Sequence, residues 1–240
     1  MTRWSASALH LAISMLVALL FVAVLRFVWF PGPLFAVSGA TGLLSILVPV
    51  DVVLGPLLTL LVFKAGKPSL KFDLTVIALL QAAALCYGAW VIAEARPAYM
   101  VFFGNQLHVV RSTDLAENKP WRAPLAGPQW VGIPAESALA SELESAMAAM
   151  MGKPPMTLDV ERYRPFAEFA GQFSTALKEV GNVQPSTAVA TLRAEVAAQG
   201  LEEGAVRVLP ISVRDQRMTA VFSADDRTLL AIVPVTLLAQ

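Results

Sequence analysis

Residues Val50 to Trp90 read VDVVLGPLLTLLVFKAGKPSLKFDLTVIALLQAAALCYGAW, and this stretch decides the fold. It holds the end of one apolar run, Leu34 to Phe63, and a second apolar run, Leu74 to Ile92, joined by a short loop with three lysines. A bilayer is crossed by a helix of about 20 apolar residues. We therefore predict transmembrane helices at about 42–63 and 74–92, the first starting late because thirty helical residues would be about 45 Å long.

A further apolar run precedes this stretch. Leu9 to Leu25 carries no charge apart from His10, and bulky residues continue it past Arg26. No small residues in the pattern of a signal-peptide cleavage site follow the run. We therefore predict an uncleaved transmembrane helix at about 8–30. The helix ends at Pro31-Gly32-Pro33, a tripeptide that cannot remain helical.

Charge is distributed unevenly along the chain. Its 240 residues carry 18 basic and 18 acidic side chains, but the part up to Ala93 has a net charge of +3 and the remainder −3. Basic residues near helix ends favour the cytoplasmic side. Four lie on one predicted side and two on the other: Arg3, Lys64, Lys67 and Lys71 against Arg26 and Arg96. This pattern predicts a multi-pass membrane domain, residues 1–96, with a cytoplasmic N-terminus, followed by an extracytoplasmic domain, residues 97–240.

The second domain is long enough to have its own core. Its pattern predicts an α+β fold with an antiparallel sheet and about three helices. A hairpin of 99–103 and 107–111 turns at Gly104-Asn105-Gln106, and a proline-rich loop over 113–134 contains Trp121 and Trp130. The predicted helices are 136–151, 165–180 and 186–199, and the predicted later strands are 206–213, 218–223 and 228–235.

Residues suited to catalysis or metal binding are few. Cys86 is the single cysteine, and the two histidines, His10 and His108, have no neighbouring residues suited to a metal or nucleophile site. No nucleotide-binding, hydrolase or zinc-protease motif occurs. The acidic balance of the second domain disfavours nucleic acid as a partner. We predict a protein that is not an enzyme, with no catalytic, cofactor-binding or metal-binding residues and no cofactor.

The informative polar residues lie in the apolar part. Asp51 lies about 13 Å inside its predicted helix, where an ionised carboxylate is costly unless it is paired, protonated or facing a cavity. Gly55 and Thr59 follow at i+4 and i+8, so the three residues share one small and polar face that lets another helix approach closely. Gln81 on the next helix could hydrogen-bond to that face. Three interpretations stay open: an internal pair between Arg26 and Asp51, a contact with a partner protein, and ion or proton transport.

Several motifs in this region resemble one known family. The pattern D-x-x-x-G-P-x-x-T at Asp51, Gly55, Pro56 and Thr59 is one of them. The others are K-F-D-L from Lys71 to Leu74, Gln81, Tyr87-Gly88, the N-terminal RWSASALHLAIS and the W-x-P-G-P connection of Trp29 to Pro33. Together they resemble the type IV pilin accessory protein family, often called TfpX/TfpZ. Phe30 stands where that family has tyrosine. The resemblance covers roughly the first hundred residues and is loose beyond, at 208–213 and 230–235.

The resemblance implies a chaperone-like accessory protein of the bacterial inner membrane, with its C-terminal domain in the periplasm. Such a protein supports the stability of a type IV pilin, its assembly into pili or its surface display. The implied partners are the pilin, the lipid bilayer and other pilus assembly proteins. Asp51, Gly55, Pro56, Thr59 and Gln81 are then candidates for helix packing or partner contact. Two other classes remain alternatives, a membrane-anchored sensor or signalling subunit and a transporter-associated subunit, each working with a separate partner.

Overall fold

The computed structural model describes residues 2–118, 123–134, 143, 146–147, 150–152, 154–214 and 216–238. The chain divides into two compact units. The first contains the chain up to Val28 together with Gly39–Glu94, and the second contains Trp29–Ser38 together with Ala95–Gln240. The connection between the first two long helices is therefore part of the second unit, although it lies far from that unit in sequence.

Three helices of the first unit are long and apolar enough to cross a membrane, as predicted. They are α1, Arg3–Trp29, α3, Ala40–Val62, and α4, Leu70–Ala95. Helix α1 begins at a capping box, in which the hydroxyl of Thr2 accepts from the backbone N–H of Ser5. Each helix starts earlier in the sequence than predicted, because capping and polar residues form helical turns that a count of apolar residues leaves out. The finding indicates a membrane-associated protein.

The second unit contains a seven-stranded sheet in the order β4-β3-β1-β2-β5-β6-β7. The strands are β1, Pro97–Phe103, β2, Gln106–Arg111, β3, Gln129–Gly132, β4, Arg164–Pro165, β5, Val206–Val213, β6, Gln216–Ser223, and β7, Leu229–Val233. The predicted hairpin is confirmed, since Gly104 and Asn105 both have positive φ, at 59° and 58°. The prediction of a purely antiparallel sheet is wrong: the sheet is mixed, because β1 pairs in parallel with β3 and β2 in parallel with β5.

Helices of the second unit are shorter than predicted. The aromatic segment 165–180 forms a 3-10 turn, Phe166–Phe169, and α5, Ala170–Ala176, before Lys178 pairs with Val208 as an isolated bridge. That bridge extends the backbone and ends the helix early. Helix α6, Ala188–Ala198, lies within the third predicted segment. Trp121 and most of the predicted helix 136–151 lie outside the described residues.

Both faces of the sheet are covered by other elements. One face, with Phe102 and Phe222, packs against Phe173 of α5. The other face packs against α6 through Leu192 and Val196. The α+β class predicted from the sequence is thus confirmed. Residues 29–38 contribute to the first of these cores, since Leu34 of the short helix α2, Leu34–Val37, is 3% exposed within it.

Candidate helix-packing site in the membrane unit

Helix α3 is irregular at its centre. Pro49 lies inside it, residues Val50–Leu54 form a π-helical turn, and Gly55-Pro56 resume the α-helix. A π turn widens the helix by one residue and is frequent at functional sites. Asp51 lies in this turn and is 8% exposed. The buried acid of the apolar part therefore coincides with the irregular backbone.

Gln81 of α4 binds this irregular turn. Its Nε2 donates to the backbone oxygen of Asp51 at 3.0 Å and to Oδ1 of Asp51 at 3.3 Å. In a π turn a carbonyl oxygen accepts from the N–H five residues later, which for Asp51 is residue 56, and Pro56 has no N–H. Unsatisfied backbone groups are costly in hydrocarbon. The amide of Gln81 thus supplies a donor that the sequence of α3 cannot.

Gly55 makes room for that amide. A Cβ atom added at Gly55 would lie 2.1 Å from Nε2 and 2.6 Å from Cδ of Gln81, closer than atoms in contact can lie. The helix that lies against Gly55 is thus α4 of the same chain. Gly88 plays a similar part further along α4, against the side chain of Leu47.

Helix α1 contacts the same face of α3. The hydroxyl of Ser7 donates to the backbone oxygen of Pro56 at 2.9 Å, and Nδ1 of His10 lies 2.6 Å from Oγ1 of Thr59. Thr59 is 2% exposed. Neither Ser7 nor His10 is among the residues predicted for this site from the sequence. The available signal was their i, i+3 spacing, which places two polar residues on one face of an otherwise apolar helix.

The structure thus brings together Asp51, Gly55, Pro56, Thr59 and Gln81, and all but Gln81 are buried. It does not bring Arg26 to Asp51. Arg26 is exposed in the last turn of α1, its guanidinium 5.8 Å from the ring centre of Phe27, and no ion pair joins it to Asp51 among the described residues. Asp51 is instead paired with an uncharged amide.

The first unit, here called the membrane unit because it contains the three apolar helices, has an apolar outer surface. Only 11% of the most apolar window of α4 is buried, and its large exposed side chains include Leu79, Leu80, Tyr87 and Trp90. Polar side chains in apolar helices bind helices to one another, whereas apolar side chains can face lipid or another apolar helix. Most of the surface of α4 is therefore free for lipid or for a partner helix.

The described residues hold no cluster of three or more His, Cys, Asp or Glu that could bind a metal ion. His108 lies in β2, where burial lowers its pKa to about 4 with a further contribution from the positive charge of Arg217. Its Nε2 is buried and has no hydrogen-bond partner in the part of the chain that the structure describes. His108 is thus a neutral, half-buried side chain whose Nε2 faces the interior of the second unit.

These features define the class: a protein with three membrane helices held together by buried polar contacts, and with an α+β domain. Three fimbrial assembly proteins of Dichelobacter nodosus are similar to it in sequence. Those of serogroups I and E1 are 32% and 31% identical over 111 residues, which is 45% of this chain and 43% of each relative. The protein of serogroups C1 and C2 is 31% identical over 111 residues, 45% of this chain and 85% of that relative.

This chain belongs to the fimbrial assembly protein family. The match spans less than half the length of the first two relatives. No protein-family model matches the chain. No solved structure matches it either.

Proposed function

We propose that this chain is a non-catalytic accessory protein of the bacterial inner membrane that supports a type IV pilin, in its stability, its assembly into pili or its surface display. The observation that carries the proposal is the similarity to three fimbrial assembly proteins. The resemblance of the Asp51-to-Gln81 motifs to the pilin accessory family gives the proposal its more specific form.

The packing of the membrane unit supports an indirect role for these motif residues. Asp51 and Thr59 are 8% and 2% exposed, and their contacts are made by α4 and α1 of the same chain. In this proposal Asp51, Gly55, Pro56, Thr59 and Gln81 hold the bundle together, and the client is bound elsewhere. The exposed apolar face of α4 and the second unit, here called the outer domain because we propose that it is periplasmic, are the proposed contact surfaces for the pilin.

A deletion strain tests the proposed role. We expect loss of the gene to reduce pilus number or pilin level and an unaltered copy to restore both. Pili that are unchanged in number and composition would refute the role.

Site-specific photo-crosslinking tests the contact surface. Leu79 and Ile77 lie two residues apart on α4, but Leu79 is 63% exposed and Ile77 is 7% exposed. A crosslinker at Leu79 or Leu80 should capture pilin, and the same crosslinker at Ile77 should not. If no exposed position of α4 or of the outer domain captures pilin in cells whose pili depend on this protein, direct binding is wrong.

The proposed orientation has its own test. Alkaline phosphatase fused after the C-terminus should be active and green fluorescent protein dark, because the outer domain is proposed to be periplasmic. The reverse pattern would place that domain in the cytoplasm and contradict the proposal.

A further inference from the structure

Residues 29–38, here called the strap, connect α1 to α3 and belong to the second unit. Leu34 of the strap is 3% exposed and lies in the same core as Leu107, Ile211 and Val213 of the sheet. Val37 packs against that core, and Phe30 is 1% exposed. A buried leucine typically contributes a few kcal/mol to stability. The outer domain is therefore completed by a segment that lies some sixty residues upstream in the chain.

A polar contact fixes the end of the strap. Nη1 of Arg214 donates to the backbone oxygen of Ser38 at 3.0 Å. Arg214 lies in the turn between β5 and β6 with φ at 51°, a left-handed conformation that is uncommon for residues other than glycine. The turn thus holds the guanidinium at one end of the strap, and Leu34 anchors its middle.

The strap has little slack at either end. Helix α1 ends at Trp29, where the strap begins, and only Gly39 separates Ser38 from the start of α3. A displacement of the ends of these two helices must therefore be absorbed within the strap or transmitted to Leu34. Packed cores have discrete arrangements and respond to such displacement by undocking rather than by stretching.

We propose that the strap couples the stability of the outer domain to the arrangement of α1 and α3, so that a change in the membrane helices alters the docking of Leu34 in the sheet core. Such coupling is reciprocal: a partner bound to the outer domain also acts on the membrane helices. The proposal does not depend on pilin being the client.

The experiment uses hydrogen exchange of the full chain in lipid nanodiscs, and compares three variants in the presence and absence of Asp51→Ala. One inserts Gly-Ser-Gly-Ser between Ser38 and Gly39, which adds slack and keeps Leu34 and the Arg214 contact. The second is Leu34→Ala, which weakens docking. The third is Ala36→Ser, a control at an exposed strap position. Exchange is followed in β5, which carries Ile211 and Val213, and in α6, which packs on the other face.

In the protein with the unaltered strap and in the Ala36→Ser variant, we expect Asp51→Ala to raise hydrogen exchange severalfold more in β5 than in α6. Leu34→Ala alone should raise exchange in β5 by about thirtyfold or more, because a large-to-small core substitution leaves a cavity that the neighbouring side chains only partly fill. The insertion should leave exchange in β5 near its original rate and abolish its response to Asp51→Ala. If Asp51→Ala raises hydrogen exchange in α3 but leaves exchange in β5 unchanged in the protein with the unaltered strap, no coupling exists. If the response survives the insertion, the strap is not its route.

Discussion

Pro56 determines which hydrogen bonds the backbone carbonyl of Asp51 can make. Because Pro56 lacks an N–H, the π turn leaves the Asp51 carbonyl without its backbone donor, and Gln81 donates to it at 3.0 Å. The sequence predicts that Asp51, Gly55 and Thr59 share a face and that Gln81 can reach it. It does not predict that the amide binds the backbone as well as the carboxylate, because that depends on the π turn.

Gly55 is predicted to tolerate no side chain. Gly55→Ala places a Cβ atom 2.1 Å from Nε2 of Gln81, so the amide must leave Asp51. We expect a loss of about 1–2 kcal/mol in the stability of the membrane unit, the range of interhelical hydrogen bonds in membranes. Steric trapping in mixed micelles measures this loss of stability. Gly42→Ala is the control, since nothing lies within 4 Å of its Cβ position. Equal effects of the two substitutions would contradict this account.

Asp51→Asn separates packing from charge. Asparagine keeps an oxygen that can accept from Gln81 and leaves the backbone carbonyl in place, so the stability of the membrane unit should change by less than about 1 kcal/mol. Asp51→Ala serves as the comparison because it removes the side-chain acceptor. Pilin level and the abundance of this protein are measured together. Loss of pilin support by Asp51→Asn at normal abundance would mean that the charge itself acts on the client.

At the scale of elements, the rotation of each helix about its axis decides which residues meet. Helix α1 buries a face of small and polar residues that includes Ala6, Ser14 and Ala18. These residues allow close approach to α3, as small residues do in membrane helices generally. Because α1 is apolar on nearly all sides, this face cannot be recognised from the sequence. The structure resolves it through the contacts of Ser7 and His10.

Thr59→Val tests the contact between α1 and α3. Valine has nearly the shape of threonine but removes the hydroxyl beside His10, so we expect a loss of about 1 kcal/mol in the stability of the membrane unit. Steric trapping of the variant and of the unaltered chain measures the difference in stability. The matched control is Thr75→Val, at an exposed position of α4. A control that destabilises as much as Thr59→Val would show that the hydroxyl contact contributes nothing of its own.

Helix α5 is held by its one aromatic residue, Phe173. Phe173 contacts the rings of Phe102, Phe166, Trp130 and Phe222 edge to face, at centroid distances of 5.2–6.2 Å. We expect Phe173→Ala to lower the free energy of unfolding of the second unit by about 3–5 kcal/mol, because it leaves a cavity in this cluster. Thermal unfolding followed by tryptophan fluorescence measures the loss. Gln172→Ala, at the preceding and exposed position, should cost less than about 1 kcal/mol; similar losses for both would argue against the cluster.

At the scale of the whole molecule, pH acts on the second unit through His108. Its pKa is about 4 in the folded protein, mainly through burial, against about 6.5 in the unfolded chain. Between these values the unfolded state binds more protons, so stability falls as the pH decreases from about 6.5 and the loss is complete below about 4. The loss should reach about 3 kcal/mol.

His108→Leu removes this pH dependence and serves as the comparison. Unfolding of both proteins is measured between pH 7 and pH 4, and the difference between them reports His108 alone. Since Nε2 of His108 is buried without a partner among the described residues, His108→Leu should also be no less stable at pH 7. If the free energy of unfolding changes with pH in the same way in both proteins, protonation of His108 does not destabilise the folded state.

The sequence was sufficient to predict three membrane helices, an α+β domain and a polar face on α3, because long apolar runs, strand alternation and helical spacing are local properties of the chain. Three features required the tertiary structure: the parallel pairs that make the sheet mixed, the contacts of Ser7, His10 and Gln81 that enclose the face of α3, and the docking of Leu34 in the core of the second unit. Each joins residues distant in sequence, and local preferences carry no information on which distant segments meet. Packing decides that by excluding water from the surfaces that fit.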